Sequence, residues 1–107
     1  MSALESFCLQ GKVALVTGSA RHLGFDMADA LAEAGADLVV TSRTLESAEA
    51  AAQKLKSSRD VDVLPLAVDV SVHAQVAEMV RKAAAWKGHI DILINNAGGT
   101  PRDAGPA

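Results

Sequence analysis

The strongest constraint on this chain is an alternation. Four short runs of aliphatic and β-branched residues are separated by three longer segments with apolar residues at helical spacing. Lys12–Thr17 (KVALVT) stays apolar after its lysine and closes on Gly18, the pattern of a strand buried on both faces. From His22 to about Ala34, residues Phe25, Ala28, Leu31 and Ala32 share one helical face. Gly35 then stands where a helix C-terminus favours glycine. Asp37–Ser42 (DLVVTS) reads as the second strand. Thr44 can cap a second helix, with Glu46 in its first turn and Leu45, Ala48, Ala52 and Leu55 along its buried face. Val61–Val68 reads as the third strand. Pro65 removes a ladder donor there, so this strand is expected at a sheet edge. Ser71 is expected to cap a third helix that buries Val72, Val76, Met79, Val80 and Ala83 and stops at Gly88. Ile90–Ile94 (IDILI) is the fourth strand, followed by Asn95-Asn96-Ala97-Gly98-Gly99 and a loop from Thr100 to Ala107.

The order β-α-β-α-β-α-β implies a parallel sheet with right-handed crossovers. The expected class is α/β: the first half of a doubly wound parallel sheet, with strand order 3-2-1-4. That order puts the Pro65 strand at an edge. No repeat, low-complexity tract or linker divides the 107 residues, so residues 1–107 are expected to form one part of a single domain, truncated after the fourth strand.

Composition removes several alternatives. An apolar fraction of 50% is too high for a disordered chain. A net charge of -3 and a pI near 5.5 argue against a nucleic-acid partner, which needs a basic surface. The single cysteine, Cys8, cannot form an internal disulfide, and no zinc-ligand spacing is present. Met1 to Gln10 lacks a basic start and a long apolar run, and no stretch reaches the ~20 apolar residues that span a bilayer. The expected address is the cytoplasm, without a membrane partner.

Several residues carry candidate chemistry. Gly18 permits a tight turn after the first strand, and Gly24 permits close helix–strand packing. The N–H groups at that helix start can bind a pyrophosphate. Glycines needed for turn geometry alone are the alternative. Ser42 and Arg43 end the second strand, where an acidic residue would bind a ribose 2′-hydroxyl. A hydroxyl and a guanidinium suit a 2′-phosphate instead, and Arg21 can reach the same group. Two solvated surface arginines are the alternative. Asp69 can accept from an adenine amino group while Val70 packs against the ring; equally, Asp69 can serve the N-terminus of the third helix. Asn95-Asn96-Ala97-Gly98 allows close backbone approach to a ligand and can bridge neighbouring strands.

These residues together resemble the N-terminal half of the short-chain dehydrogenase/reductase family. That family carries TGxxxGxG after the first strand, an Asp-Val-like pair after the third and NNAG after the fourth. The match lies at Thr17, Gly18, Gly24, Asp69 and Asn95 through Gly98, and the resemblance runs from Gly11 to about Gly99. It implies a Rossmann fold, NAD(P) binding and hydride transfer between the cofactor and a ketone or secondary alcohol. It also implies roles. Gly18, Ser19, Arg21, Leu23 and Gly24 would surround phosphates and ribose. Ser42 and Arg43 would select NADP(H) over NAD(H), and Asp69 and Val70 would hold the adenine. Asn95, Ala97 and Gly98 would lie toward the nicotinamide ribose, with Asn96 structural. Gly11–Gly24 and Ser42–Thr44 resemble gluconate 5-dehydrogenase-like and 3-oxoacyl carrier-protein reductase-like members. A homo-oligomer and a small-molecule substrate are further implications for a complete protein.

Two departures stand out. His22 occupies the family's middle glycine. It can donate to the pyrophosphate, as the resemblance to pteridine reductases implies, or point outward. The family's catalytic serine and Tyr-x-x-x-Lys are also absent: the chain has no tyrosine, and no catalytic residue carries over. Without such a group the 107 residues alone are expected to be inactive. In the scheme the resemblance implies, that tyrosine is the acid/base and the lysine lowers its pKa, because a free tyrosine, with a pKa of about 10, is a poor base at neutral pH. The competing reading is a non-catalytic nucleotide-binding or interaction module, and a methyltransferase sheet fits the motifs poorly. His73, His89 and Cys8 read as bystanders, and Met27, Met79 and Trp86 as helix packing.

Overall fold

The computed structural model describes residues 8–18 and 22–96. Seven elements follow in the expected alternation: β1 (Val13–Thr17), α1 (His22–Glu33), β2 (Asp37–Ser42), α2 (Leu45–Ser58), β3 (Val63–Ala67), α3 (His73–Lys87) and β4 (Ile92–Asn95). All strand pairs are parallel, and the sheet order is β3-β2-β1-β4. Val40 lies opposite Pro65 in the register of β2 and β3. The proline strand is an edge strand, so its missing N–H costs the sheet no central hydrogen bond.

The alternation of side chains along each strand builds two cores. On one face Ala14, Val16, Leu38 and Val40 pack against Ala28 and Ala32 of α1 and Ala52 and Leu55 of α2. On the other face Val13, Leu15 and Val39 meet Met79 and Ala83 of α3, with Val76 and Trp86 alongside. β1 lies at the centre and is buried along its whole length. Burying each Leu or Val of this kind is worth roughly 1.5–3 kcal/mol.

Helix ends follow their local chemistry. Gly35 has φ +106°; its N–H donates to the Ala32 carbonyl, and the Ala36 N–H donates to that of Leu31. That pair of bonds is a Schellman stop for α1. Thr44 Oγ1 accepts from the Ser47 N–H at 3.2 Å, which caps α2. Gly88 ends α3 at φ +90°.

Several expectations need correction. Ser71 does not cap α3: the capping position is Val72, which makes no side-chain hydrogen bond, and Ser71 turns back to Asp69 instead. Val72 and Val80 are exposed, as is Leu45 at the start of α2, so these faces are narrower than the spacing suggests. β3 is shorter than Val61–Val68, and β4 begins at Ile92 rather than Ile90. Asp91, just before β4, is tied to Val13 twice: Oδ2 accepts the Val13 N–H at 2.9 Å, and the Asp91 N–H donates to the Val13 carbonyl at 2.8 Å.

Charged pairs tie the periphery. Arg59 grips Asp29 through two hydrogen bonds of 3.0 and 3.1 Å, joining the end of α2 to α1. Lys87 Nζ lies 2.7 Å from Asp62 and 3.6 Å from Asp37, joining α3 to the segment before β3 and to the start of β2. On the far side β4 leaves Leu93 64% exposed. No described helix is long and apolar enough to cross a membrane.

Candidate nucleotide-binding site

Parallel pairing brings the C-terminal ends of all four strands to one end of the sheet. Sequential order reverses between β1 and β4, the place where doubly wound sheets open a crevice. Most of the expected site residues follow these strand ends.

At the end of β1 the chain turns on Gly18, with φ +68°. α1 then comes back so closely that a Cβ on Gly24 would lie 2.2 Å from the Gly18 carbonyl oxygen and 2.8 Å from Asn96 Nδ2. No side chain fits there. Leu23 beside it is exposed. Ser19, Arg21, Ala97 and Gly98 lie outside the described residues, as does the side chain of His22.

β1 and β4 are tied at this end through Thr17. Its hydroxyl donates to Asn95 Oδ1 at 3.0 Å and accepts the Asn96 N–H at 2.9 Å. The two asparagines thus divide their work. Asn95 takes its orientation from Thr17, and Asn96 fills the corner under Gly24. Thr17 is a further candidate for the site, one that sequence reasoning placed only within a motif. Its signal is a hydroxyl at the last position of a central strand, opposite an Asn.

β2 and β3 end side by side, where the Val68 N–H donates to the Ser42 carbonyl at 2.8 Å. This fixes Ser42 beside β3 and brings Arg43 to Asp69: Nη2 and Oδ2 are 4.0 Å apart, with the Arg43 side chain 77% exposed. Asp69 is held firmly. Its Oδ1 accepts the Ser71 hydroxyl at 2.7 Å and the Ser71 N–H at 3.0 Å, and its own N–H donates to Gln75 Oε1 at 2.8 Å. The Ser71 hydroxyl, and after it the Ser71 N–H, hold the Asp69 carboxyl below the usual carboxylate range, with Arg43 adding to the effect. Val70 is exposed next to it. Ser71 and Gln75 were not anticipated as anchors of Asp69, although an Asp-x-Ser spacing is a known side-chain turn signal.

Elsewhere His89 Nε2 lies 3.0 Å from the Gly11 carbonyl and 3.1 Å from Asp91 Oδ2. It sits by the N-terminal end of β1, away from the strand C-termini. Among the described residues no His, Cys, Asp and Glu cluster could hold a metal ion.

The family profile described as short chain dehydrogenase matches residues 12–106. A 12alpha-hydroxysteroid dehydrogenase from a Clostridium species is 43% identical over 93 residues, which cover 81% of this chain and 36% of that protein. A 2-dehydro-3-deoxy-D-gluconate 5-dehydrogenase from Dickeya dadantii is 42% identical over 100 residues, covering 89% of this chain and 36% of that protein. Among solved structures, L-sorbose reductase from Gluconobacter frateurii, complexed with NADPH and L-sorbose, superposes with a TM-score of 0.79 at 39% identity. That match covers 83% of this chain and 34% of the reductase. The chain thus spans about a third of the length of the proteins it resembles.

Proposed function

The chain belongs to the short chain dehydrogenase family, and from that premise we propose that it is the dinucleotide-binding part of an NADP(H)-preferring oxidoreductase. The complete protein transfers a hydride between the cofactor and a ketone or secondary alcohol. The observation that carries the cofactor preference is Arg43. An exposed guanidinium follows β2 where a ribose-binding carboxylate would otherwise stand. A relative in complex with NADPH supports the same reading.

The residues fit such a group. The Gly18–Gly24 approach packs α1 tightly against the end of β1, which sets the N–H groups at the start of α1 at the C-terminal end of the sheet, where a pyrophosphate can bind. In this reading Gly18, Ser19, Arg21, His22, Leu23 and Gly24 surround the phosphates. Ser42 and Arg43 hold the 2′-phosphate, Asp69 and Val70 the adenine, and Asn95, Ala97 and Gly98 the nicotinamide side. Thr17 keeps Asn95 in place. When bound, the cofactor supplies the hydride donor or acceptor. These 107 residues contain no tyrosine, so proton transfer falls to other parts of the complete protein.

Titrating the complete protein with NADPH and NADH tests the reading. Tighter binding of NADPH is expected, and Arg43→Asp should turn the preference toward NADH. An NADPH/NADH affinity ratio that stays unchanged in Arg43→Asp would sink the 2′-phosphate assignment.

A further inference from the structure

Arg43 does not face the site alone, because the nearest described acidic group, Asp69, is fixed in position opposite it. We propose that Asp69 moderates the site's discrimination between 2′-phosphorylated and unphosphorylated nucleotides by opposing the negative charge that Arg43 attracts. This inference rests on the nucleotide-binding reading above.

Two effects of Asp69 on a 2′-phosphate have opposite signs. The carboxylate can orient the Arg43 guanidinium, which helps binding. It also repels a second anion placed on that guanidinium, which hinders binding. The geometry decides between them. The guanidinium is 77% exposed and 4.0 Å from Oδ2, the outer limit of an ion pair, so it is only weakly held. The carboxylate is not free to swing away, because Ser71 occupies Oδ1 with two hydrogen bonds and Gln75 holds the Asp69 backbone. A phosphate monoester carries about 1.5 to 2 negative charges at neutral pH. At the lower figure, repulsion of such a group by one carboxylate about 7 Å away in water corresponds to roughly a five-fold change in affinity. Repulsion therefore outweighs orientation. Arg43 attracts the phosphate, and Asp69 limits how far that attraction excludes the unphosphorylated cofactor.

The test uses the complete protein and two fragments that share one adenine, 2′,5′-ADP and 5′-AMP. Their dissociation constants are measured by titration calorimetry at low ionic strength. Any loss of adenine contact cancels in the ratio of the two affinities. Asp69→Asn keeps an oxygen for Ser71 and removes the charge; it should raise the preference for 2′,5′-ADP roughly five-fold. Asp69→Ser is a second neutral variant, for use if the amide disturbs folding, and should move the ratio the same way. Asp69→Glu keeps the charge and should leave the ratio near that of the wild type. A ratio that falls in the neutral variants would make Asp69 an orienting partner of Arg43 and overturn the inference. So would an unchanged ratio, or an equal rise in Asp69→Glu. Wild-type protein that binds neither fragment would overturn the nucleotide-binding reading itself.

Discussion

Replacing Gly24 by alanine sets two magnitudes against each other. Gly24 is the third residue of α1, and alanine is the better helix former by up to about 1 kcal/mol in a helix interior. In the first turn that gain is smaller. Against it stands a Cβ 2.2 Å from the Gly18 carbonyl oxygen and 2.9 Å from its carbon, both inside the 3.0 Å that real Cβ contacts respect. The obstacle is backbone at a turn with positive φ, so it cannot rotate aside as a side chain would. α1 must lift from the sheet, which disturbs its contacts through Ala28 and Ala32. Overpacking of this kind costs about 1–3 kcal/mol, so the net expectation is a loss of about 2 kcal/mol. With a urea dependence of about 1–3 kcal/mol per molar, the unfolding midpoint of the complete protein should fall by about 1 M. Far-UV circular dichroism across a urea series measures it. Gly88→Ala is the control. It meets nothing within 4 Å and pays only for its left-handed backbone, about 1–2 kcal/mol. A Gly24→Ala midpoint at or above wild type would refute the packing argument.

Other outcomes follow from the same structure. Thr44→Ala removes the oxygen that caps α2 and should destabilise the protein by about 1 kcal/mol, readable as a lower urea midpoint. Lys87→Met should lower Tm near neutral pH, and the deficit should depend on pH. Hydrogen bonding to Lys87 holds Asp62 below its usual range, and bonding to Asp62 raises Lys87. The carboxylate's contribution is therefore present above its unfolded pKa of about 3.9 and lost as pH falls through the lower folded value. The lysine's is present below about 10.4 and lost as pH rises through the raised folded value. The Tm gap between wild type and Lys87→Met should stay constant from about pH 5 to 9 and close below about pH 4. A gap that persists at acid pH would mean that Lys87 acts through packing.

Local chemistry made much of the fold legible. Gly35 and Thr44 end and begin helices through bonds to their immediate neighbours, and Pro65 announces an edge by a donor it lacks. The failures occur where a local rule met a competitor. Ser71 has the right chemistry for a helix cap, but Asp69 lies two residues away and takes both its N–H and its hydroxyl. Val72 and Val80 fit a helical stripe, yet burial on α3 is limited to Met79 and Ala83. That the candidate residues Ser42, Arg43, Asp69 and Asn95 end or follow their strands could be read from the sequence, because each belongs to its own strand. The links between them could not: Thr17 meets Asn95 and Arg43 meets Asp69 only after the strands have been ordered. The Asp91 carboxylate on the Val13 N–H bridges 78 positions, a separation no local pattern reports.

The central place of β1 has a consequence for biosynthesis. The first strand described is paired on one side by β2 and on the other by β4, the last strand described. At about 5–20 residues per second, the ribosome needs roughly 4–16 s to go from Val13 to Asp91. During that interval β1 can pair with β2, but its other edge, running through Ala14, Leu15 and Val16, has no native neighbour. Unpaired apolar edges are where nascent chains join one another, so this stretch is the expected contact point for chaperones while the protein is being made.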